Sequence, residues 1–242
     1  MNRVLLFAFC VASSLSFAQH SALGNTTIFT EDFTDSSARW ANFSTTAVLD
    51  YSATGGPDGG AFASGPRAFG TLTPGNITVI LRARHEDPWN ASDDAFHRNW
   101  NADGIRRVSA YVMHDLPEAL RYFVRVAGPG GFPGGTFASL STVPANEWTK
   151  IDFDVSANSP QLPSPDALEG QPWEATFNDV GHVQFGVYVP TGYSGNSTAY
   201  RFSIDKVTIA TPEPASAILG LLGLIACASQ IRGRTRKSCA SC

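Results

Sequence analysis

Residues Thr149–Val155, with the sequence TKIDFDV, decide the fold class of this chain. Every second residue from Ile151 to Val155 is apolar, and the residues between them are charged. This alternation is typical of a β-strand that buries one face and exposes the other. Similar alternation predicts strands over Leu120–Val126 and Val183–Val189.

Further strands are predicted on both sides of these three, and Gly-, Pro- and Asn-rich connections separate them. Outside the two chain ends, no stretch has helical periodicity over a dozen residues. The sequence therefore predicts an all-β fold, an antiparallel two-sheet sandwich with eight or nine strands. A jelly roll fits the length best, and an immunoglobulin-like sandwich is the alternative. The additional predicted strands are Thr27–Phe33, Thr46–Tyr51, Ile77–Ala83, Arg107–His114 and Ala199–Ala210.

The C-terminal end has three elements in a fixed order. Pro212, Glu213 and Pro214 precede an apolar run over residues 215–231. Prolines cannot continue a central strand, so the domain should end there. The run has 17 residues, the short limit for a transmembrane helix, and the basic residues after it should stay on the cytoplasmic side. These basic residues are Arg232, Arg234, Arg236 and Lys237.

Residues 211–237 resemble the PEP-CTERM sorting signal of bacteria that have two membranes and secrete exopolysaccharide. The resemblance implies recognition by exosortase, a membrane-embedded transpeptidase, and processing near the Pro-Glu-Pro motif. Thr211 stands where valine is common, and the tail at 238–242 is longer than usual. The alternative is a plain tail-anchored helix. Whether the tail is cut or retained stays open.

The N-terminal end predicts export. Arg3, an apolar segment over Val4–Ala12 and a small-residue site before Gln19 form a signal peptide over residues 1–18, with cleavage after Ala18 or, as second choice, Ala22. This leaves residues 19–210 as one domain, followed by the sorting signal at 211–237 and the tail at 238–242.

The charges and cysteines of this domain exclude several function classes. It holds 12 basic and 20 acidic residues, a net charge of −8, and no basic cluster interrupts the acidic residues along the chain. Nucleic-acid binding is therefore not expected. All four cysteines lie in the terminal segments, so the domain has no disulfide, thiol nucleophile or thiolate metal site.

Asp205 breaks the pattern of the last predicted strand. Phe202 and Ile204 are in one phase, whereas Val207 and Ile209 are in the other, which predicts a β-bulge or a carboxylate facing the core. A buried carboxylate needs a cation or several hydrogen bonds. The alternative is a turn-forming Asp bonded to nearby backbone.

The order of landmarks is similar to that of galactose-binding-like and laminin-B-like jelly rolls and of many carbohydrate-binding modules. The landmarks are Glu31-Asp32-Phe33, Trp40, the glycine-rich loop Tyr51–Gly60 and the closing strand Phe202–Ile209. The resemblance implies a structural calcium ion held by Glu31, Asp32 and Asp205, and oxygen ligands suit calcium.

A long polar loop over Arg84–Gly104 contains five carboxylates, two histidines and two tryptophans. Long loops in compact domains are often functional. One interpretation is a glycan platform with Trp89 or Trp100 stacked on sugar rings. A second is a glycosidase pair formed by Glu86 with Asp93 or Asp94. A third is an acidic connection whose tryptophans cover the sandwich edge.

Tyr193, in a glycine-rich loop, is a further candidate for glycan contact, and the sequence carries no nucleophile or phosphate-binding motif. We therefore expect an exported, non-catalytic β-sandwich that exosortase sorts to the cell surface or the extracellular polysaccharide matrix. The alternative is a secreted polysaccharide-degrading enzyme, either a glycoside hydrolase or a lyase, that uses the loop carboxylates.

Overall fold

The computed structural model describes residues 25–43 and 47–212. Contacts divide the chain into Thr27–Thr211, which contains the sandwich, and the terminal segments Met1–Thr26 and Pro212–Cys242. The predicted signal peptide and the segment from Glu213 onward lie outside the described residues. Within the two described ranges, no helix has the length and apolar content needed to cross a bilayer.

Strands dominate the described chain. The first six are β1 Asn25–Glu31, β2 Ala41–Asn42, β3 Asp50–Ser52, β4 Phe62–Ala68, β5 Ile77–Arg84 and β6 Arg107–His114. The other five are β7 Leu120–Ala127, β8 Gly134–Val143, β9 Thr149–Asp154, β10 His182–Tyr188 and β11 Ala199–Pro212. One α-helix, α1, spans Trp173–Phe177, and short 3-10 segments span Ala91–Asp94, Pro165–Leu168 and Thr191–Tyr193.

The strands form two sheets that pack face to face. The six-stranded sheet has the order β3-β4-β11-β6-β9, with β1 also paired to β11. The five-stranded sheet has the order β2-β5-β10-β7-β8. From β4 onward the chain changes sheet at every connection except β7 to β8, as jelly rolls do. The predicted all-β, two-sheet sandwich is confirmed.

Large aromatic side chains fill the space between the sheets. Trp40 lies at the centre, with its ring stacked on Phe185 at 6.3 Å and edge-on to Phe33 at 5.6 Å. Phe153 and Phe202 reach this core from the six-stranded sheet, and both are fully buried. Each such side chain contributes roughly 1.5–3 kcal/mol through burial, so the core needs no disulfide to be stable.

The alternating strands are predicted well. In β9, Ile151 and Phe153 are buried and Lys150 is exposed, as expected. The sequence misses β4 and β8, because β4 contains Pro66 and β8 opens with two glycines. Both form strands because neighbouring strands pair with them, and this pairing overrides weak propensity.

The stretch before Trp173 is rich in proline and serine, as loops are, but it is not wholly irregular. Pro165–Leu168 forms a 3-10 turn, and Trp173 begins α1. The Trp173 ring stacks on Phe177 at 4.2 Å, and its Nε1 donates to the Val155 carbonyl at 2.9 Å. Trp173 is therefore a core residue.

Candidate functional site

The outer face of the five-stranded sheet carries five polar side chains that we call the arginine face: Arg82, Arg84, Arg125, His182 and Gln184. Gln184 of β10 lies opposite Arg82 of β5 and Arg125 of β7, and His182 lies opposite Arg84. Residues directly opposite in an antiparallel pair project to the same side of a sheet. The intervening Val183 and Phe185 are fully buried in the core, so the polar set faces outward.

Hydrogen bonds link three of these side chains in one series that ends at Glu86. The Arg125 guanidinium donates to Gln184 Oε1 at 3.2 Å, and Gln184 Nε2 lies 3.3 Å from His182 Nδ1. His182 Nε2 lies 2.6 Å from Glu86 Oε1 and 2.8 Å from the Pro129 carbonyl. Both partners of Nε2 are acceptors and the partner of Nδ1 is a donor. His182 Nε2 therefore carries a proton and donates to both acceptors.

Carboxylates at the rim balance two of the three arginines. Glu86 accepts from Arg84 Nε at 3.1 Å, and Glu169 accepts from Arg125 at 2.8 and 2.5 Å. Burial would raise the pKa of Glu86, but the hydrogen bond from His182 and the charge of Arg84 outweigh it and lower that pKa. Glu86 is therefore a firmly ionised member of the network.

Arg82 is the third guanidinium, and its surroundings differ. Its Nη2 donates to the Phe43 carbonyl at 2.6 Å, and its buried Nε has no hydrogen-bond partner among the described residues. Partial burial lowers the pKa of Arg82, and the nearby charges of Arg84 and Arg125 lower it further. Glu86 is near enough to oppose this shift, but Arg84 and His182 already engage its carboxylate.

Aromatic side chains border the arginine face at two places. Trp89 is half-exposed, with the Arg84 guanidinium 5.8 Å from its ring centre. Tyr188 is also half-exposed and lies 5.1 Å from the Arg121 guanidinium. Between them the Phe123 ring covers Gly186, where a Cβ would come within 2.5 Å of Phe123 Cζ. The face thus combines a rigid polar centre with aromatic edges.

The predicted polar loop over Arg84–Gly104 adjoins this face and is tightly fixed. Asn90, Ser92, Asp93 and Asp94 all have positive φ, between 36° and 61°. Such left-handed residues are costly and persist only where contacts hold them. Here Trp40 Nε1 donates to Ser92 Oγ at 2.9 Å, and Asp93 and Asp94 each form an ion pair.

The structure separates the two predicted tryptophan contacts. Trp89 is available at the surface, but Trp100 is fully buried and donates its Nε1 to the Phe96 carbonyl at 2.9 Å. The prediction of Trp100 as a glycan contact is wrong, because a ring without exposed surface cannot stack on a sugar. Trp100 covers the sandwich edge, which was the third interpretation of this loop.

The three loop carboxylates considered for glycosidase chemistry have separate partners. Glu86 binds His182 and Arg84, Asp93 pairs with Arg39 at 2.5 Å, and Asp94 lies 3.2 Å from His85. A glycosidase general acid requires a raised pKa, whereas that of Glu86 is lowered. Nothing in this geometry pairs two carboxyls across a cleft.

Tyr193 is partly buried. Its ring packs edge-on against Tyr200 at 5.5 Å, and it borders the hydrophobic core. It lies in the Thr191–Tyr193 turn before β11, which belongs to the other sheet. The structure therefore does not bring Tyr193 together with Trp89.

The predicted calcium ligands do not form a three-carboxylate cluster. Over residues 25–43 and 47–212, no three His, Cys, Asp or Glu side chains lie close enough to hold a metal ion. Glu31 accepts from the Phe33 backbone N–H at 2.8 Å, and Asp32 accepts from Thr34 Oγ1 at 2.7 Å. Local hydrogen bonds thus engage Glu31 and Asp32, while the charge of Asp32 adds to burial in raising the pKa of Asp205, and the set of Glu31, Asp32 and Asp205 stays a prediction.

The predicted β-bulge at Asp205 is confirmed. The register with β6 shifts between Asp205 and Thr208, and Lys206 has a φ of 49°. Asp205 is only 2% exposed, and burial raises its pKa to about 6. Its Oδ1 accepts from the Lys206 backbone N–H at 2.7 Å. A Cβ on Gly56 would lie 3.2 Å from Asp205 Oδ2, so the glycine-rich loop covers this carboxylate closely.

The sorting signal falls almost wholly outside the described residues. Pro212 is the last residue of β11 and also the last described residue, so the end of the domain at this proline stays a prediction. Glu213, Pro214, Arg232, Arg234, Arg236 and Lys237 lie beyond it, so their roles stay predictions.

Sequence analysis missed the arginine face. Arg82 and Arg84 lie on β5, some 40 residues before Arg125 on β7, so no basic cluster is visible along the chain. The signal was present as two pairs of arginines at even spacing, Arg82 with Arg84 and Arg121 with Arg125, because even spacing places side chains on one face of a strand. Arginines that are distant in the sequence therefore meet on one sheet, where carboxylates pair with Arg84 and Arg125.

Comparisons with known proteins give fold-level likeness only. No family model matches the chain, and no curated protein matches it. Among solved structures, the xylan-binding domain of carbohydrate-binding family 22 from Paenibacillus barcinonensis matches at 11% identity and a TM-score of 0.45, over 81% of this chain and 100% of that one. An exo-β-agarase matches at 10% identity and a TM-score of 0.48, over 76% of this chain and 25% of that one.

A third similar structure is a xylanase fragment from Clostridium thermocellum that joins a family 22 binding module to a catalytic module. It matches at 13% identity and a TM-score of 0.45, and the match covers 78% of this chain. The match spans only 29% of the xylanase fragment. At these scores the likenesses say nothing about ligands.

Proposed function

We propose that this chain is an exported, non-catalytic β-sandwich that binds glycans through the arginine face and the adjoining Trp89. The observation that carries the proposal is the hydrogen-bonded chain from Arg125 to Glu86 on the outer face of a rigid sheet. Side chains held in advance lose little entropy when a ligand binds. Amide, guanidinium and carboxylate groups match the hydroxyls of a sugar, and a half-exposed tryptophan offers a flat apolar surface.

The same proposal includes the cellular location of the protein. The signal peptide at 1–18 and the PEP-CTERM-like segment at 211–237 support export, processing by exosortase and residence at the cell surface or in the polysaccharide matrix. The cysteine-free domain is compatible with this setting, because its large aromatic core stabilises it without disulfides.

A structural calcium ion at Asp205 is the cofactor part of the proposal. Gly60 and Ala61 carbonyl oxygens lie 3.0 and 2.8 Å from the point where a Gly56 Cβ would stand, beside Asp205 Oδ2. A carboxylate and backbone carbonyls are the oxygen donors that calcium prefers. The donor types at this loop therefore suit calcium, with Asp205 as its central carboxylate and Asp32 near enough for its charge to add to burial in raising the pKa of Asp205.

A glycan array tests the function. The purified full-length chain in mild detergent should bind a subset of immobilised polysaccharides, and incubation with those polysaccharides should release no reducing sugar or unsaturated product. Binding should weaken when Trp89 is replaced by alanine. Trp173 is not a suitable control for this replacement, because it is buried and its loss would disturb the core. An array without any bound glycan would contradict the proposal, and product release would replace it with an enzyme.

A further inference from the structure

We propose that the glycan bound by the arginine face is anionic, with carboxylate groups on its sugar rings, and that Arg82 binds one of these carboxylates. This inference rests on the proposed glycan-binding function and names its ligand class. It follows from the balance of charges on the face, the position of Arg82 in the sheet and the mixture of groups around it.

The first step is the balance of charges. Arg84 has Glu86 as an ion-pair partner, and Arg125 has Glu169. In the part of the chain that the structure describes, Arg82 has no carboxylate within ion-pair distance, and its only hydrogen-bond acceptor is the Phe43 carbonyl. One guanidinium on this face therefore lacks an anion.

The second step is that this charge cannot be removed by loss of a proton. Arginine stays protonated under all ordinary conditions, so partial burial beside Arg84 and Arg125 costs free energy until an anion arrives. A carboxylate suits the planar guanidinium because two parallel hydrogen bonds form. The Nε of Arg82 is buried, so the ligand carboxylate would meet the Nη groups at the end of the guanidinium, where Nη2 also donates to the Phe43 carbonyl.

The third step concerns position. Arg82 lies directly opposite Gln184, and Gln184 lies opposite Arg125, so a row of polar groups crosses three neighbouring strands. Strands lie about 4.8 Å apart, which gives this row a length of about 10 Å between Arg82 and Arg125 backbones. A ligand carboxylate at Arg82 would therefore place adjoining hydroxyls near the rim carboxylates, while the buried Gln184 supports the row through its bonds to Arg125 and His182.

The acidic groups of the domain distinguish a sugar acid from nucleic acid as a ligand. Glu86 and Glu169 flank the arginines, and the domain carries a net charge of −8. Closely spaced phosphates, as in nucleic acid, would meet these carboxylates and be repelled. A sugar acid meets both needs, since each ring carries hydroxyls beside its carboxylate and these hydroxyls can donate to the glutamates.

The test uses polygalacturonate as the anionic probe and its methyl-esterified form as a neutral probe of the same backbone. In affinity electrophoresis, polygalacturonate should slow the full-length chain in mild detergent more than its methyl-esterified form does. Calorimetry should show that binding to polygalacturonate weakens as the salt concentration increases. Arg82→Gln should weaken polygalacturonate binding roughly tenfold or more. Arg82→Lys keeps the charge but loses the planar, two-pronged guanidinium. Its affinity for polygalacturonate should lie between those of the unchanged protein and Arg82→Gln.

Arg107→Gln is the matched control. Arg107 is half-exposed on the outer face of β6 in the other sheet, so its loss removes the same charge and should change binding less than about twofold. Unchanged melting temperatures would show that all three variants fold. Equal weakening by Arg82→Gln and Arg107→Gln would overturn the assignment to Arg82.

The remaining outcomes separate this inference from the function beneath it. Binding of neutral xylan or methyl-esterified pectin as tight as binding of polygalacturonate would overturn the anionic ligand and leave glycan binding intact. Preference for dextran sulfate over polygalacturonate would overturn the carboxylate. Failure to bind any probe, on this panel and on the array, would overturn glycan binding itself.

Discussion

Arg82 on one sheet and Asp205 on the other both lack an ion-pair partner among the described residues. The two side chains differ in whether a change of pH can neutralise them. Arg82 on the five-stranded sheet must remain a cation, because no accessible pH removes its proton. Asp205 on the six-stranded sheet is more deeply buried, and its pKa is raised to about 6, so it becomes neutral by binding a proton. The charge of Arg82 therefore persists at every accessible pH, whereas a proton removes the charge of Asp205.

Gly186 gives the largest expected difference between the sheets. A Cβ there would lie 2.1 Å from the Thr78 carbonyl and 2.5 Å from Phe123 Cζ. Gly186→Ala should therefore destabilise the protein by about 3 kcal/mol or more, because backbone and a buried ring must both shift. Gly60→Ala, in the loop over the six-stranded sheet, meets nothing within 4 Å and should change stability by less than about 0.5 kcal/mol. Chemical denaturation measures the free energy of unfolding of both variants. Equal effects would contradict the close packing of Phe123 on Gly186 at the arginine face.

Asp205 should make stability depend on pH in the direction opposite to an ordinary paired carboxylate. Its folded pKa of about 6 exceeds the usual aspartate pKa of 3.8, so the folded state holds the proton more tightly. Below pH 4 the contribution of Asp205 to the free energy of unfolding is fully present. As the pH rises through 6 in calcium-free buffer, this contribution of about 2–3 kcal/mol is lost. Asp205→Asn should abolish this loss. Denaturation at pH 4 and pH 7 checks it, and parallel curves for both proteins would refute the shift.

Calcium should reverse the behaviour of Asp205. If the ion binds the ionised carboxylate and the loop carbonyls, millimolar calcium at pH 7.5 should stabilise the chain by roughly 2 kcal/mol and raise its melting temperature. EDTA should reverse the effect, and Asp205→Asn should not respond. A melting temperature that is the same in calcium and in EDTA would remove the calcium site.

The smallest expected difference compares one ion pair from each face. Arg125 and Glu169 are 13% and 28% exposed, whereas Lys150 and Asp152 on β9 are 51% and 47% exposed. Glu169→Gln should cost about 1–2 kcal/mol because the guanidinium of Arg125 loses its partner in a partly desolvated place. Asp152→Asn should cost less than about 0.5 kcal/mol. Melting curves of the two variants decide, and equal costs would mean that the arginine face is as hydrated as β9.

Local pattern predicts the parts of this fold in which one strand settles its own environment. β9 alternates clearly, and the phase change at Asp205 reveals the bulge because both signals lie within one strand. The arginine face could not be predicted in this way. Arg82 and Arg125 become neighbours only through their common partner Gln184, a pairing that depends on sheet order. Trp100 misled for a similar reason, because its polar sequence neighbours do not show that the loop folds back onto the core.

The position of β11 sets the order of events during synthesis. This last strand lies between β4 and β6 in the middle of the six-stranded sheet and also pairs with β1. A nascent chain that still lacks residues 199–212 leaves a gap in that sheet, with the edges of β4 and β6 unsatisfied. The sandwich therefore closes only after the ribosome has released almost the whole domain, and folding follows translation rather than accompanying it.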